Sequence, residues 1–176
     1  MASIPRLLAS SSFPSFNPAG EERKEAVYVA AVPLRASKGP AQIAVSAAYS
    51  IGLWDLQHWM VIIKPSHHHS HAYAFDFQPK DPEDIQVVLA ALTQKQVPGV
   101  VLKRKLARLP KRRCWFVGFS TCSNQEDDTG SINVAENFTN AWNTDLIIGK
   151  RDCRHFTNDL VIVLTGKYHI LDRIQQ

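Results

Sequence analysis

The strongest constraint on this chain is the run "HWMVIIK", His58–Lys64, in which every residue from Trp59 to Ile63 is apolar. A strand with one wet face alternates polar and apolar residues, whereas a run without alternation has no face to give to water. It predicts a central strand covered on both sides. The polar "PSHHHS" that follows reads as a turn, and "HAYAFDF" alternates with period two, so residues 58–77 predict a hairpin with a long loop. "EAVYVAAVPL" and "AQIAVSAAYSI" upstream, and "GVVL" and "CWFVGF" downstream, predict further strands.

Between and after these strands the apolar period changes to that of a helix. "KDPEDIQVVLAALTQKQVPG" predicts one with Asp81 as N-cap and Pro82 at the first helical position. Glu83 and Asp84 favour its positive end, Ile85, Val88, Leu89 and Leu92 form its buried face, and Pro98-Gly99 stops it. "VAENFTNAW" predicts a short helix, and the polar residues 120–133 before it an exposed loop. The last helix runs from about Asp152 to Leu164, with Phe156, Leu160, Val163 and Leu164 as its stripe and Gly166 as its stop. Strands, helix, strands and helix without regular alternation predict an α+β domain, an antiparallel sheet with flanking helices.

Composition narrows the class. A hydrophobic fraction of 45% supports a packed core, and residues 25–176 fit a single domain. No apolar run approaches the roughly 18–20 residues of a membrane span. The three cysteines, Cys114, Cys122 and Cys153, are odd in number and form no CxxC, which favours a reducing compartment and argues against a structural zinc site. The histidines of "HHHSH", His67–His71, predict an exposed loop with adventitious metal affinity only, so neither a metal nor a cofactor is expected. Residues 1–24 differ from the rest: five serines in the first sixteen residues, Arg6 as the only early base and no acid before Glu21. That is the composition of an organelle transit segment, chloroplast before mitochondrion, or of a disordered tail.

Chemistry concentrates on three features. Cys153 falls in the first turn of the last helix, where the helix N-terminus and a nearby imidazole sharpen a thiolate. His155 is two residues on, about 200° round the helix axis, and does not suit as its base. His58 opens the apolar strand, where an ionisable residue needs a reason, and is the better base. Its orienting partner is Asp76 if the hairpin pairs residues whose numbers sum to an even value, or His71 if the sum is odd, because side chains alternate. The third feature is "KRKLARLPKRR", with Lys103, Arg104, Lys105, Arg108, Lys111, Arg112 and Arg113 as seven bases in eleven residues. It reads as a solvated loop or hairpin, or as a docking patch for an anionic partner; no nucleic-acid motif accompanies it.

"HWMVII" early and "DCRHFTNDLVIVLTGK" late resemble the histidine-first, cysteine-last order of the permuted papain-like thiol proteins. These include the PPPDE group of desumoylating-type isopeptidases, the lecithin retinol acyltransferase group and, more distantly, the NlpC-type peptidases. Cys153, Phe156, Thr157, Asn158, Asp159, Leu164, Thr165 and Gly166 match the cysteine motif of the PPPDE group. The resemblance implies a permuted papain-like fold, Cys153 as nucleophile and His58 as general base. It also implies an amide or thioester substrate, from a protein or a lipid acyl group. In the acyltransferase group a second histidine follows the first, and His71 stands near that place. Two residues depart from the pattern: Asp152 replaces an asparagine, and Trp59 is bulkier than its counterparts. A carboxylate beside a thiol caps the helix but opposes the thiolate. The alternative is a non-catalytic plastid accessory or assembly protein that docks a partner or RNA through residues 103–113.

Overall fold

The computed structural model describes residues 24–33, 57–66, 71–122 and 130–175. The strand expected at "AQIAVSAAYSI", the leading segment up to residue 23 and His67–His69 lie outside the described residues. The architecture is α+β, as the sequence predicts. Six antiparallel strands form an open sheet: β1 Ala26–Pro33, β2 Gln57–Lys64, β3 Ala72–Pro79, β4 Val97–Leu106, β5 Cys114–Phe119 and β6 Asp145–Leu146, in the order β5-β1-β2-β3-β4-β6. Among the described residues the helices are α1 Ile85–Leu92, α2 Gly130–Ala141, α3 Cys153–Thr165 and α4 Ile170–Ile174.

The apolar run takes the interior place it requires: β2 lies between β1 and β3, and His58–Ile63 are all buried. Its odd-numbered residues Trp59, Val61 and Ile63 join Val27, Val29, Phe75 and Phe77 under α3, which contributes Phe156, Leu160, Val161 and Leu164. Each such side chain contributes about 1.5–3 kcal/mol by leaving water. The even-numbered Met60 and Ile62 pack on the other face with Ala30, Ala72 and Ala74.

Part of that second face is covered by the basic segment, which is not a hairpin. β4 and β5 stand on opposite sides of β1–β3, so residues 107–113 have to cross the sheet. Four strand spacings of about 4.8 Å make roughly 19 Å. The chain from Leu106 to Cys114 reaches about 27 Å when extended, so it can make the crossing with room for bends. Leu106 and Leu109 pack against the even-numbered face, while Arg108, Lys111, Arg112 and Arg113 are exposed. Lys103, Arg104 and Lys105 belong to β4 itself.

Three expected boundaries move. α1 starts at Ile85, capped by Asp84, whose carboxylate accepts the Gln86 amide at 2.8 Å; Asp81–Glu83 form a turn before it. Two acids compete for the cap, and Asp84, in extended backbone, takes it. Thr93 ends the helix by folding its hydroxyl onto the carbonyls of Leu89 and Ala90, and Gln94 turns the chain with φ 58°. So short a helix buries only Val88 and Ala91, and Leu89 is 51% exposed. Pro98 and Gly99 lie in β4, where Gly99 donates to the Thr144 carbonyl at 2.7 Å and a Cβ would strike Phe77 and that same carbonyl. In α3 the stripe is Phe156, Thr157, Leu160, Val161 and Leu164; Val163 is 41% exposed.

The exposed segment expected at 120–133 does not hold at its two ends, and residues 123–129 lie outside the described residues. Ser120 is buried, and α2 begins at Gly130 with Ser131 and Ile132 buried. The cause is distant in sequence: the buried Glu25, just before β1, accepts the Ser131 amide at 2.9 Å and caps α2 from the sheet.

Candidate active site

The site forms where β2 begins and α3 ends its approach to the sheet. α3 starts as the sequence predicts, with Asp152 as N-cap and Gly166 in the left-handed C-cap conformation, φ 68°. Cys153 is its first residue, half-buried, with Sγ 3.9 Å from the Gln57 carbonyl. Gln57 is the residue before His58, so helix start and strand start meet.

His58 is buried and stands on the even-numbered side of β2, at the strand's start. Val61 pairs with Phe75, which is the even register, so Asp76 lies diagonally across from His58 on the same face. His58 Nε2 is 2.7 Å from Asp76 Oδ2. That engagement leaves Nδ1 as the ring's other nitrogen, and the Cys153 thiol lies close enough to the ring to raise its basicity. Burial by itself pulls the imidazole down; the hydrogen bond to Asp76, then the contact with Cys153, outweigh it and push His58 up from 6.5 to about 9.

Asp76 is fully buried between Phe75 and Phe77, and both its oxygens are used. Oδ2 serves His58, and Oδ1 accepts Arg104 Nη2 at 2.5 Å. Asp76 pairs with Leu102 in β4, so Arg104 is its diagonal neighbour on the same face. Cys153, His58, Asp76 and Arg104 thus form one line of alternating partners. The sequence assigns Arg104 to a surface patch and misses this role. The signal was Asp76 itself, a carboxylate between two phenylalanines that needs a cation on a neighbouring strand. Lys103 is also engaged, with Glu136 of α2 and over the Tyr73 ring.

His71 is not part of the site. It is exposed, and antiparallel pairing carries it to the end of the sheet where β2 finishes, against the site at the end where β2 starts. The odd register that would have brought it to His58's face is not the one formed.

The acid beside the thiol is a cap. Asp152 Oδ1 accepts the amides of Arg154 at 3.0 Å and His155 at 3.4 Å, and Oδ2 accepts the Gly149 amide at 2.7 Å. His155 Nδ1 lies 2.8 Å from the same Oδ1. Burial raises the carboxyl, but the Gly149 amide foremost, with His155 and the Arg154 amide, holds it below the usual range. Its charge is therefore met by groups other than Cys153, and His155 is paired with it, away from the role of base. Of the first three amides of α3, only that of Cys153 is not committed to this cap. Trp59, the other departure from the family pattern, points to the opposite face from His58 and stacks on Trp115 at 5.8 Å between centroids.

Much of the family-like motif is scaffolding. Phe156 fills the core, Asn158 Oδ1 accepts the Leu171 amide at 3.3 Å at the start of α4, and Thr165 returns its hydroxyl to the Val161 carbonyl at 2.9 Å. Only Cys153 carries that motif to the histidine.

All three cysteines are free thiols. Among the described residues no three His, Cys, Asp or Glu side chains group as metal ligands, and no helix is long and apolar enough to cross a membrane. No family model, curated protein or solved structure matches the chain.

Proposed function

We propose that this chain is a permuted papain-like thiol hydrolase or acyl transferase acting on an amide or thioester. The observation that carries it is the buried Asp76–His58 hydrogen bond of 2.7 Å, with the Cys153 thiol near enough to the ring to raise its basicity. A thiol is a weak nucleophile until a base takes its proton, and the base works only when a third group fixes its orientation.

The steps follow from these positions. With His58 raised to about 9, the ring carries both protons at neutral pH, Nδ1–H opposite the Cys153 thiolate and Nε2–H on Asp76. Cys153 Sγ attacks the carbonyl carbon, and the electron pair moves to oxygen. The Cys153 amide, at the positive end of α3, donates to that oxyanion; one such donor is typically worth about 10²–10³ in rate. Nδ1–H then protonates the leaving amine or thiol, and an acyl thioester remains on Cys153. Water releases it as an acid, or an acceptor takes the acyl group. The sharing of one proton between Sγ and Nδ1 contributes roughly 10²–10⁴.

The test is alkylation by a low dose of iodoacetamide from pH 5 to 9, mapped cysteine by cysteine. An ordinary thiol near 8.5 is mostly protonated below pH 7. Cys153 is expected to label there, and His58→Ala to lose that labelling. Cys114, whose thiol is pushed up by burial, is an internal reference that labels only at high pH. Cys153 that reacts only on unfolding, or that labels equally in His58→Ala, overturns the proposal.

A further inference from the structure

We infer that Arg104 is a positioning residue of this site: it fixes the Asp76 carboxylate and balances its charge, so that the acid can serve His58. This rests on the thiol-enzyme reading above and adds to it a fourth member outside both family-like segments. The geometry makes the assignment. Asp76 is 0% exposed, and its described partners are His58 Nε2 on one oxygen and Arg104 Nη2 on the other. A carboxylate so deeply buried needs each oxygen bonded, and the guanidinium supplies a planar, permanently charged donor. Arg104 itself is 46% exposed, so it brings a solvated charge to a buried acid without being desolvated as a whole.

Among the described residues, Asp76 of β3 and Cys153 of α3 act on His58, Arg104 of β4 meets Asp76, and β1 presents Val32 opposite His58. On α3, Asp152 and His155 are paired with each other. Among the described residues Arg104 is then the one permanent cation on the line. With it, thiolate, imidazolium, carboxylate and guanidinium alternate in sign and sum to zero. Without it the line carries a net negative charge once the thiolate forms, and the carboxylate is free to turn from Nε2. Both effects make the thiolate harder to form, so they lower reactivity more at low pH than at high pH.

The measurement is the ratio of Cys153 alkylation rates at pH 6 and pH 9 in the full chain. Arg104→Met is expected to lower this ratio by roughly tenfold, the effect of one pH unit's displacement of the acidic limb. Arg104→Lys, which keeps the charge, is expected to restore most of it. Should Arg104→Met fold poorly, Arg104→Gln keeps a donor for Oδ1, drops the charge and is read by the same ratio. A purely structural role lowers both rates together and leaves the ratio in place; a change below about threefold overturns the inference. Wild-type Cys153 that is unreactive below pH 7 removes the thiol-enzyme reading and this inference with it. Wild-type reactivity with an unchanged Arg104→Met ratio removes this inference alone.

Discussion

Two acid–histidine pairs lie within reach of the same thiol, at 2.7 Å for Asp76–His58 and 2.8 Å for Asp152–His155. Their bond lengths do not distinguish them; their surroundings do. Asp152 and His155 are three residues apart on one helical turn, and the histidine side chain is 44% exposed. The carboxylate spends its oxygens on backbone amides, so the pair ends a helix. Asp76 and His58 are joined only by strand pairing, both are buried, and a thiol lies close to the ring. The same two side chains thus make a cap where water and amides surround them, and a buried pair spanning two strands where they do not.

The largest effect expected from breaking this contrast comes from removing the buried acid's charge. Asp76→Asn leaves a group of the same shape that no longer requires a proton on Nε2, so the ring can adopt the other tautomer or lose its positive form. Alkylation of Cys153 at pH 6 is expected to fall by about a hundredfold or more, within the range of general acid–base contributions. Arg104 then faces a neutral amide but stays solvated, so the fold should survive the change. A loss below about threefold would mean that Asp76 is a structural acid like Asp152.

The two pairs also separate in how stability depends on pH. His58 is raised in the folded state, so its contribution is complete below 6.5 and is lost as pH rises through about 9. A shift of that size is on the order of 3 kcal/mol. Asp152 is lowered, so its contribution is present above its ordinary 3.8 and is lost as pH falls below that value. Melting temperature against pH should therefore decline at both ends for different reasons. His58→Gln is expected to flatten the alkaline decline and spare the acid one. An alkaline decline that persists in His58→Gln would assign it to other groups.

The local pair was legible in the sequence and the distant one only in part. Asp152 as a cap and Gly166 as a stop are signals within one turn of the helix they bound, and both hold. The apolar run of β2 fixed its interior place because lack of alternation is itself a statement about both faces. The choice between Asp76 and His71 needed the register of β2 on β3, which the long connecting loop left open. Arg104 and Glu25 were further off still. Each is a polar residue whose partner is brought by a different element, and no pattern of spacing within one segment encodes that. The basic segment misled for a related reason: its charges are evident locally, whereas the crossing that packs Leu106 and Leu109, both half-buried, onto the sheet follows from strand order.

The smallest expected effect is at Asp152, and it is the one that sharpens the comparison most. Asparagine caps a helix about as well as aspartate, so Asp152→Asn should leave the α3 start in place and change stability by well under the ~1 kcal/mol that Asp152→Ala removes. Its negative charge lies beside the thiol, yet it is already met by three amides and the His155 ring. Removing a charge so compensated should raise Cys153 alkylation at pH 6 by no more than about fivefold, roughly 1 kcal/mol of residual repulsion. A rise of a hundredfold would show that Asp152 holds the thiol in check as a member of the site. A fall of more than tenfold would show that its charge, through His155, supports the thiolate, and the distinction between cap and catalytic pair would have to be given up.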